Sequence, residues 1–310
     1  MNRLPERLAL YRVSRVSLLA LAFVFGCEET DTKGWLVDRT RVLGVRFEAK
    51  ADPARAAIAP GEAMRMTWLV GAPNGTGRLG WTYAVCAPLT GSLPEAHCEG
   101  PVLASAVGAS EGELVTMELD APGAAADLQE LQVLTAFCDA GDPVLDASRF
   151  EATCTSGAPA RLAAATVRLS AAGPNANPEI ARDAILFDGA PLSPSDARPG
   201  EPCAAEPIVT AGTKHAIALR FRGDEREPLP GTREGAESIL ASHVVTAGEL
   251  ERQYSMLDPG DAVPKQVSVE WTAPRREDVG EGGRLTEIYV VLRDGRGGAA
   301  FARRTVCVRP

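Results

Sequence analysis

Hydrophobic and polar residues alternate with a period of two in many short runs of this chain. In the run 64–70, the residues of one parity are Met64, Met66, Trp68 and Val70. The same period recurs in 81–86, 115–119, 215–221, 267–271 and 288–292. Turn-forming residues separate the runs, as in 59–61, 73–75, 258–260 and 294–295. This pattern is typical of short strands with one buried face, and it predicts an all-β fold built from β-sandwiches.

The chain divides into two halves with similar strand patterns. Between them, the stretch 171–178 contains two prolines, a glycine and two asparagines, which disfavour both a helix and a central strand. We therefore predict two tandem immunoglobulin-like β-sandwich domains, residues 39–172 and 185–310, joined by a linker at 173–184. We expect little helix, with short helical turns at 124–130 and 248–256.

Two tryptophans lie on the apolar parity of predicted strands. Trp81 and Trp271 each share a parity with aliphatic or aromatic neighbours. A tryptophan in this position is typical of a sandwich core, so we expect both to be core residues.

The N-terminal residues predict an export signal. Arg3, Arg7, Arg12 and Arg15 accompany an apolar run at 16–25, which is too short to span a membrane as a helix. The run leads into Val24-Phe25-Gly26-Cys27, which resembles the cleavage site of bacterial lipoproteins. We predict a cleaved signal peptide at 1–26, a lipid on Cys27 and a tether at 27–38. An ordinary signal peptide with an incidental Cys27 is the alternative.

The negative net charge of the chain argues against partners that are themselves negatively charged. The 310-residue chain has a net charge of −9, and without residues 1–26 it would carry 28 basic and 40 acidic residues. The basic residues show no clustering of the kind that nucleic-acid binders use, so we expect no nucleic-acid partner. An acidic body does not attach to anionic lipid headgroups by charge. The lipid on Cys27 would therefore make the contact with the membrane.

Six cysteines remain if Cys27 is lipidated, and an even number in an exported chain is typical of disulfides. Fifteen pairings are possible, and proximity along the chain favours Cys86–Cys98, Cys138–Cys154 and Cys203–Cys307. The alternative is a zinc site, but the chain has no C-x-x-C pair. We predict no metal site and no cofactor. Turn-forming aspartates account for the acidic pairs Asp139/Asp142 and Asp258/Asp261 better than a calcium site does.

Five segments from both halves share a further feature: 38–46, 59–62, 81–86, 175–180 and 289–298. Together they resemble predicted lipoproteins of myxobacterial-type Gram-negative bacteria. The last of them also resembles the closing strands of PKD-like and immunoglobulin-like modules. The resemblance implies an envelope location and supplies no catalytic residues.

Two short motifs suggest chemistry that their surroundings do not favour. The stretch 75–80 matches G-x-G-x-x-G, but the residues after it predict a strand where a dinucleotide site needs a helix, so we expect a glycine-rich hairpin. The stretch 108–112 matches G-x-S-x-G and would make Ser110 a nucleophile, with His215 or His243 downstream. A strand again follows where a nucleophile elbow needs a helix.

The sequence therefore predicts a lipid-anchored, non-catalytic protein of the cell envelope, on the periplasmic side or the cell surface. Its expected role is that of a binding or assembly module, and its expected partners are the membrane, through the lipid, and an envelope protein or glycan. The alternative is an envelope serine hydrolase that uses Ser110.

Overall fold

The computed structural model describes residues 33–88, 96–120, 128–169, 175–199, 201–203, 206–229 and 235–310. The predicted signal peptide, Cys27 and the first half of the predicted tether (27–32) lie outside these residues. Gly34–Pro310 form one compact unit. Within the described ranges, no helix is long and apolar enough to cross a membrane.

The first half contains two antiparallel sheets and a hairpin. Its strands are β1 (Arg41–Ala49), β2 (Met64–Gly71), β3 (Arg78–Cys86), β4 (Ala104–Glu111), β5 (Leu114–Leu119), β6 (Glu130–Cys138), β7 (Pro143–Asp146), β8 (Glu151–Cys154) and β9 (Arg161–Arg168). One sheet has the order β1-β2-β5 and the other β4-β3-β6-β9, while β7 and β8 pair with each other.

The apolar parities of both sheets meet in one core, as expected for a sandwich. Trp68 on β2 is fully buried there, and its ring meets Phe137 of β6 edge-on with centroids 5.9 Å apart. Trp81, which we predicted as a core residue, is only half-buried. It pairs with Gly108 of the edge strand β4, so it lies at the margin of the core.

The outer face of the second sheet carries the β7–β8 hairpin. Leu145 and Phe150 pack there on the fully buried Leu134 of β6. The disulfides Cys86–Cys98 and Cys138–Cys154 link β3 and β6 to the segments that cover this face. The hairpin therefore covers the centre of the sheet, and in the part of the chain that the structure describes, alternate residues of the edge strands β4 and β9 stay exposed.

The second half contains two five-stranded sheets. Its strands are β10 (Ile185–Phe187), β11 (Ala190–Pro191), β12 (Ile208–Thr210), β13 (Lys214–Phe221), β14 (Pro228–Leu229), β15 (Gly235–Ala236), β16 (Ile239–Val245), β17 (Glu249–Leu250), β18 (Tyr254–Leu257), β19 (Lys265–Thr272), β20 (Arg284–Arg293) and β21 (Ala299–Arg309). The orders are β11-β10-β13-β19-β17 and β12-β21-β20-β16-β18, with β14 and β15 paired separately. A short 3-10 helix occupies Arg276–Asp278.

The second core also lies between two sheets. Trp271 of β19 is fully buried in it, as predicted, and its Nε1 donates to Ala247 O at 3.0 Å. β12 pairs with the last strand, β21, in parallel, whereas the other ladders of these sheets are antiparallel. The disulfide Cys203–Cys307 ties the segment before β12 to β21. The predictions of an all-β sandwich fold and of three disulfides are thus confirmed.

The predicted helical turn at 248–256 is wrong. Its residues form β17 and β18, which belong to different sheets of the second sandwich. Leu250 and Leu257 are both buried in the core between those sheets. Burying one side chain in each sheet stabilises an extended crossing more than a local helical turn would. Of the other predicted turn, 124–130, residue 130 begins β6 and 124–127 lie outside the described residues.

The two halves pack directly on each other. Leu43 and Leu69 of the first sandwich form an apolar cluster with Val244, Tyr289 and Val291 of the second. Residues that we placed in the tether join this junction, because Val37 is fully buried in the same cluster and its N–H donates to Val245 O at 2.8 Å. The part of the predicted tether from residue 35 onward therefore belongs to the folded unit.

Candidate functional site

Ser110 is a structural side chain in this fold. It lies within β4, and β5 follows after a short turn, so the strand–turn–helix of a nucleophile elbow is not formed. Its Oγ accepts a hydrogen bond of 3.1 Å from Trp81 Nε1. Gly108 is required beside it, because a Cβ there would lie 2.4 Å from the Trp81 ring. The G-x-S-x-G stretch thus packs against the indole ring of Trp81 and accepts its hydrogen bond.

His215 belongs to a polar group that the sequence did not indicate. Its Nδ1 lies 2.7 Å from Asp188 Oδ2 and its Nε2 lies 2.7 Å from Thr213 Oγ1. The Thr213 hydroxyl donates to Thr210 O at 2.6 Å, so its proton is directed at that carbonyl and not at His215. The three side chains therefore resemble a catalytic triad in residue type, but Thr213 is not placed to give up its proton to the imidazole.

Asp188 stabilises the start of this second sandwich. Burial opposes its charge, but hydrogen bonds from His215 and from the Ala216 N–H hold the pKa of Asp188 below its ordinary value. The imidazole also stacks on Phe187, with ring centroids 5.1 Å apart. We assign the group to the packing of β10 on β13.

His243 is buried inside the second sandwich. Its Nε2 lies 2.8 Å from Ser255 Oγ, and its Nδ1 has no hydrogen-bond partner among the described residues. Burial and the nearby charge of Arg252 lower the pKa of His243 to about 4. Neither this histidine nor His215 contacts Ser110 through a hydrogen bond in the described residues.

The acidic pairs form turns and ion pairs. Asp261 accepts from the Asp258 N–H at 2.7 Å and contacts Lys265. Asp142 lies 3.7 Å from the guanidinium of Arg78, while Asp139 is exposed. Among the described residues, no three His, Cys, Asp or Glu side chains are grouped so that they could hold a metal ion.

The glycine-rich stretch 75–80 is not a hairpin, contrary to our prediction. β2 and β3 lie in different sheets, so the stretch crosses from one sheet to the other. The prediction failed because a turn between two strands is the same in sequence whether or not those strands pair. No helix follows the stretch, so it has no dinucleotide-binding geometry.

The strand β4 forms a long exposed edge of the first sandwich. This eight-residue strand lies at the margin of its sheet and pairs only with β3 in the described part of the chain. It contains no lysine or proline, the residues that commonly protect strand edges. Val107 on its outer face is 64% exposed. The run of small residues at 104–110 is the sequence feature that could have indicated this edge.

The hydrogen-bonding pattern defines which groups of β4 face outward. Gly112 lies opposite Gly77, one position beyond the end of the β3–β4 ladder, and its N–H donates to Gly77 O at 3.2 Å, so this is a hydrogen-bonded pair. Hydrogen-bonded and non-bonded pairs alternate along an antiparallel ladder, so Ser110, Gly108 and Ala106 are bonded to β3 and the residues between them are not. Ser105, Val107 and Ala109 consequently direct their backbone N–H and C=O groups away from β3.

The opposite edge of the same sheet, β9, is partly occupied. Ile58 N donates to Arg168 O at 3.4 Å, and Ile58 bridges Leu169 in parallel. Leu169 N donates to Gln129 O at 2.7 Å, so Leu169 is a bonded position of the β6–β9 ladder. Every second residue of β9 counted back from it is also bonded to β6, and Ala164, which lies between two such positions, directs its N–H outward. β4 therefore offers the longer free edge, and β9 offers a matched position for comparison.

Ion pairs of Arg303 connect the two sandwiches. Arg303 Nη1 lies 3.1 Å from both Glu113 of the first sandwich and Glu287 of the second, and Arg303 Nη2 donates to Ser195 O at 2.9 Å. Tyr289 OH donates to Glu287 Oε2 at 2.8 Å. Burial raises the pKa of Glu287 and, together with the charge of Glu287, that of Tyr289. This cluster is a structural junction and is too buried to meet a partner.

No protein-family model matches the chain, and no curated protein matches it. Among solved structures, the chain is similar to red sea bream transglutaminase, at 11% identity over 88% of this chain and 32% of that chain, with a TM-score of 0.27. It is also similar to native Escherichia coli alpha-2-macroglobulin (10% identity, 87% of this chain, 16% of that chain, TM-score 0.23). A mutant Salmonella alpha-2-macroglobulin gives 12% identity, 88% and 16% coverage and a TM-score of 0.22. The chain thus spans about a third or less of these proteins, and the strand order above establishes its fold.

Proposed function

We propose that this protein is a lipid-anchored, non-catalytic module of the cell envelope that binds an extended segment of a partner protein by strand addition at β4. The observation that carries the proposal is the eight-residue edge with outward-facing N–H and C=O groups and one exposed valine. Backbone hydrogen bonds to an added strand supply affinity, and the side chains beside the edge supply selectivity.

The side chains of β4 suit the approach of a second strand. Ser105, Val107 and Ala109 are small or apolar and lie on the outer face, where no long charged side chain of β4 crowds the edge until Glu111. An exposed β-branched residue in a paired strand stabilises packing against a neighbouring strand. A peptide is therefore a better occupant of this edge than a glycan, which lacks a matching ladder of donors and acceptors.

The proposed location rests on the N-terminal sequence. Basic residues, an apolar run and Gly26-Cys27 support export and lipidation, and three disulfides are typical of an oxidising compartment. The resemblance to predicted lipoproteins of myxobacterial-type bacteria supports the same assignment. Lipid chains at Cys27 would hold the acidic folded unit at the membrane surface.

Photo-crosslinking from β4 in cells tests the proposed function. A benzophenone amino acid is introduced in place of Ala109 in the full-length protein, and adducts are identified by mass spectrometry. We expect an adduct with one envelope protein, and we expect Val107→Pro to abolish it because proline removes an outward N–H and its ring blocks the approach.

The matched control is Ala164→Pro, which makes the same change at an outward position of the opposite edge. It should leave the adduct in place, and near-ultraviolet circular dichroism should show that both proline variants keep the native fold. The proposal fails if Val107→Pro leaves the adduct unchanged, if both prolines remove it equally, or if the adduct contains carbohydrate in place of a peptide.

A further inference from the structure

A cleft of about 510 Å³ lies at one end of the first sandwich. The loop between β2 and β3 forms one wall, and the residues before β1, after β6 and at the start of β9 close the others. Three arginines line it, Arg39, Arg78 and Arg161, and Asp139 is the one acidic residue among the lining residues. This lining is net positive in a chain whose overall charge is −9.

The arginines of the cleft are poorly neutralised by the protein. Arg78 has one distant ion pair, 3.7 Å from Asp142, and both side chains are more than half exposed. Within the described ranges, Arg39 and Arg161 have no carboxylate at ion-pair distance. Like charges gathered without counter-ions repel one another, so a bound anion would stabilise this end of the sandwich.

Two polar atoms of the lining residues lack partners. Arg161 Nε and Thr76 Oγ1 are buried and have no hydrogen-bond partner among the described residues. A buried polar atom without a hydrogen-bond partner costs free energy, so a ligand that bonds to both atoms would stabilise the cleft. Gly77 lies next to them with open space where a Cβ would be, so the backbone can approach a ligand closely.

We propose that this cleft binds a phosphate group, either free or as the monoester of a small carrier. Guanidinium groups donate two parallel hydrogen bonds to a phosphate, and the pair is stronger than one between neutral groups. Thr76 and Arg161 would donate to the remaining oxygens after small side-chain adjustments. The volume of the cleft lies in the range of small-molecule sites and leaves room for a carrier beside the phosphate.

Titration calorimetry with inorganic phosphate and with glucose 6-phosphate tests the inference on the full-length protein. We expect binding that weakens as salt is added, because the attraction is electrostatic. Arg39→Gln and Arg161→Gln should each weaken the affinity at least tenfold. Arg39 is exposed, so its replacement keeps the fold even if Arg161→Gln does not.

The matched control is Arg275→Gln, since Arg275 is 79% exposed and lies 3.9 Å from Glu277, away from the cleft. It should change the affinity less than twofold.

Binding of both ligands supports recognition of the phosphate group itself, and binding of glucose 6-phosphate alone supports a phosphomonoester. The inference is overturned if neither ligand binds more tightly than chloride, or if Arg275→Gln weakens binding as much as Arg39→Gln. Val107→Pro should leave phosphate binding intact, which keeps this test separate from that of β4.

Discussion

Asn175 Nδ2 donates a 3.0 Å hydrogen bond to Asp294 Oδ2, and both side chains are buried. Asp294 lies in the closing hairpin, where its other oxygen accepts from the N–H groups of Arg296, Gly297 and Gly298. The carbonyl of Asn175 accepts from Ala56 N at 2.7 Å in the first half. One asparagine in the predicted linker thus joins the first sandwich to the last turn of the second.

We expect Asp294→Ala to lower the free energy of unfolding by about 3 kcal/mol, because three backbone N–H groups and Asn175 lose their acceptor. Asn175→Ala should cost about 1–2 kcal/mol, since it removes a single bond to that carboxylate. Urea denaturation measures both. Asn74→Ala, at an exposed loop position, is the control and should change the stability by less than about 0.5 kcal/mol. Equal effects at Asn74 and Asn175 would contradict the assignment.

The Arg303 junction gives a second stability prediction. Arg303→Met should cost about 3 kcal/mol or more, because Glu287 is 1% exposed and would remain as an uncompensated buried charge. Arg149→Met is the comparison, since Arg149 is 73% exposed beside Asp146 and its loss should cost less than about 1 kcal/mol. Similar midpoints for the two variants in chemical denaturation would show that the junction contributes little.

The stability of the second sandwich should depend on pH through His243. The folded pKa of about 4 lies below the ordinary value of 6.5, so the unfolded chain binds the proton more readily. The stabilisation is fully present above pH 6.5 and is lost as the pH falls towards 4. A shift of this size corresponds to about 3 kcal/mol.

His243→Gln can keep a hydrogen bond to Ser255 but cannot titrate, so its stability should vary less between pH 6.5 and 4. Urea denaturation across this range gives the difference from the native protein. A native slope in His243→Gln would refute the prediction.

The three disulfides should differ in their contribution. Cys203 and Cys307 are 104 residues apart, whereas Cys86 and Cys98 are 12 apart. In the chain-entropy model, a loop of about 100 residues contributes about 4–5 kcal/mol and one of about 15 residues about 3 kcal/mol. Replacing Cys203 and Cys307 together by alanine should therefore lower the thermal midpoint more than replacing Cys86 and Cys98. The reverse order would argue that packing around Cys86 outweighs the constraint on the unfolded chain.

The anchoring proposal rests on one residue. Cys27→Ser should move the protein from the membrane fraction to the soluble fraction, because the acidic folded unit has no charge attraction for anionic headgroups. Labelling with a palmitate analogue should be lost in the same variant. A membrane fraction that is unchanged in Cys27→Ser would rule out the lipid as the attachment.

Local patterns in the sequence determined the strands and the closing turn. The parity of Met64, Met66 and Trp68 predicts a strand because neighbouring side chains of extended backbone point to opposite faces. The run 294–298 predicts a tight turn, and the structure closes β20 and β21 around it. Proximity along the chain also favoured the three disulfides that the structure contains.

Only the tertiary structure decided how those strands associate. Partners that are distant in sequence decide whether 75–80 joins paired strands or crosses between sheets. They also decide whether Trp81 lies at the centre or at the margin of the core. The free edge of β4 and the arginine cleft arise in the same way, since residues from separate strands meet only after the sheets pack. Alternation specifies which face of a strand is buried, but long-range pairing determines its neighbours, and those neighbours form the candidate sites.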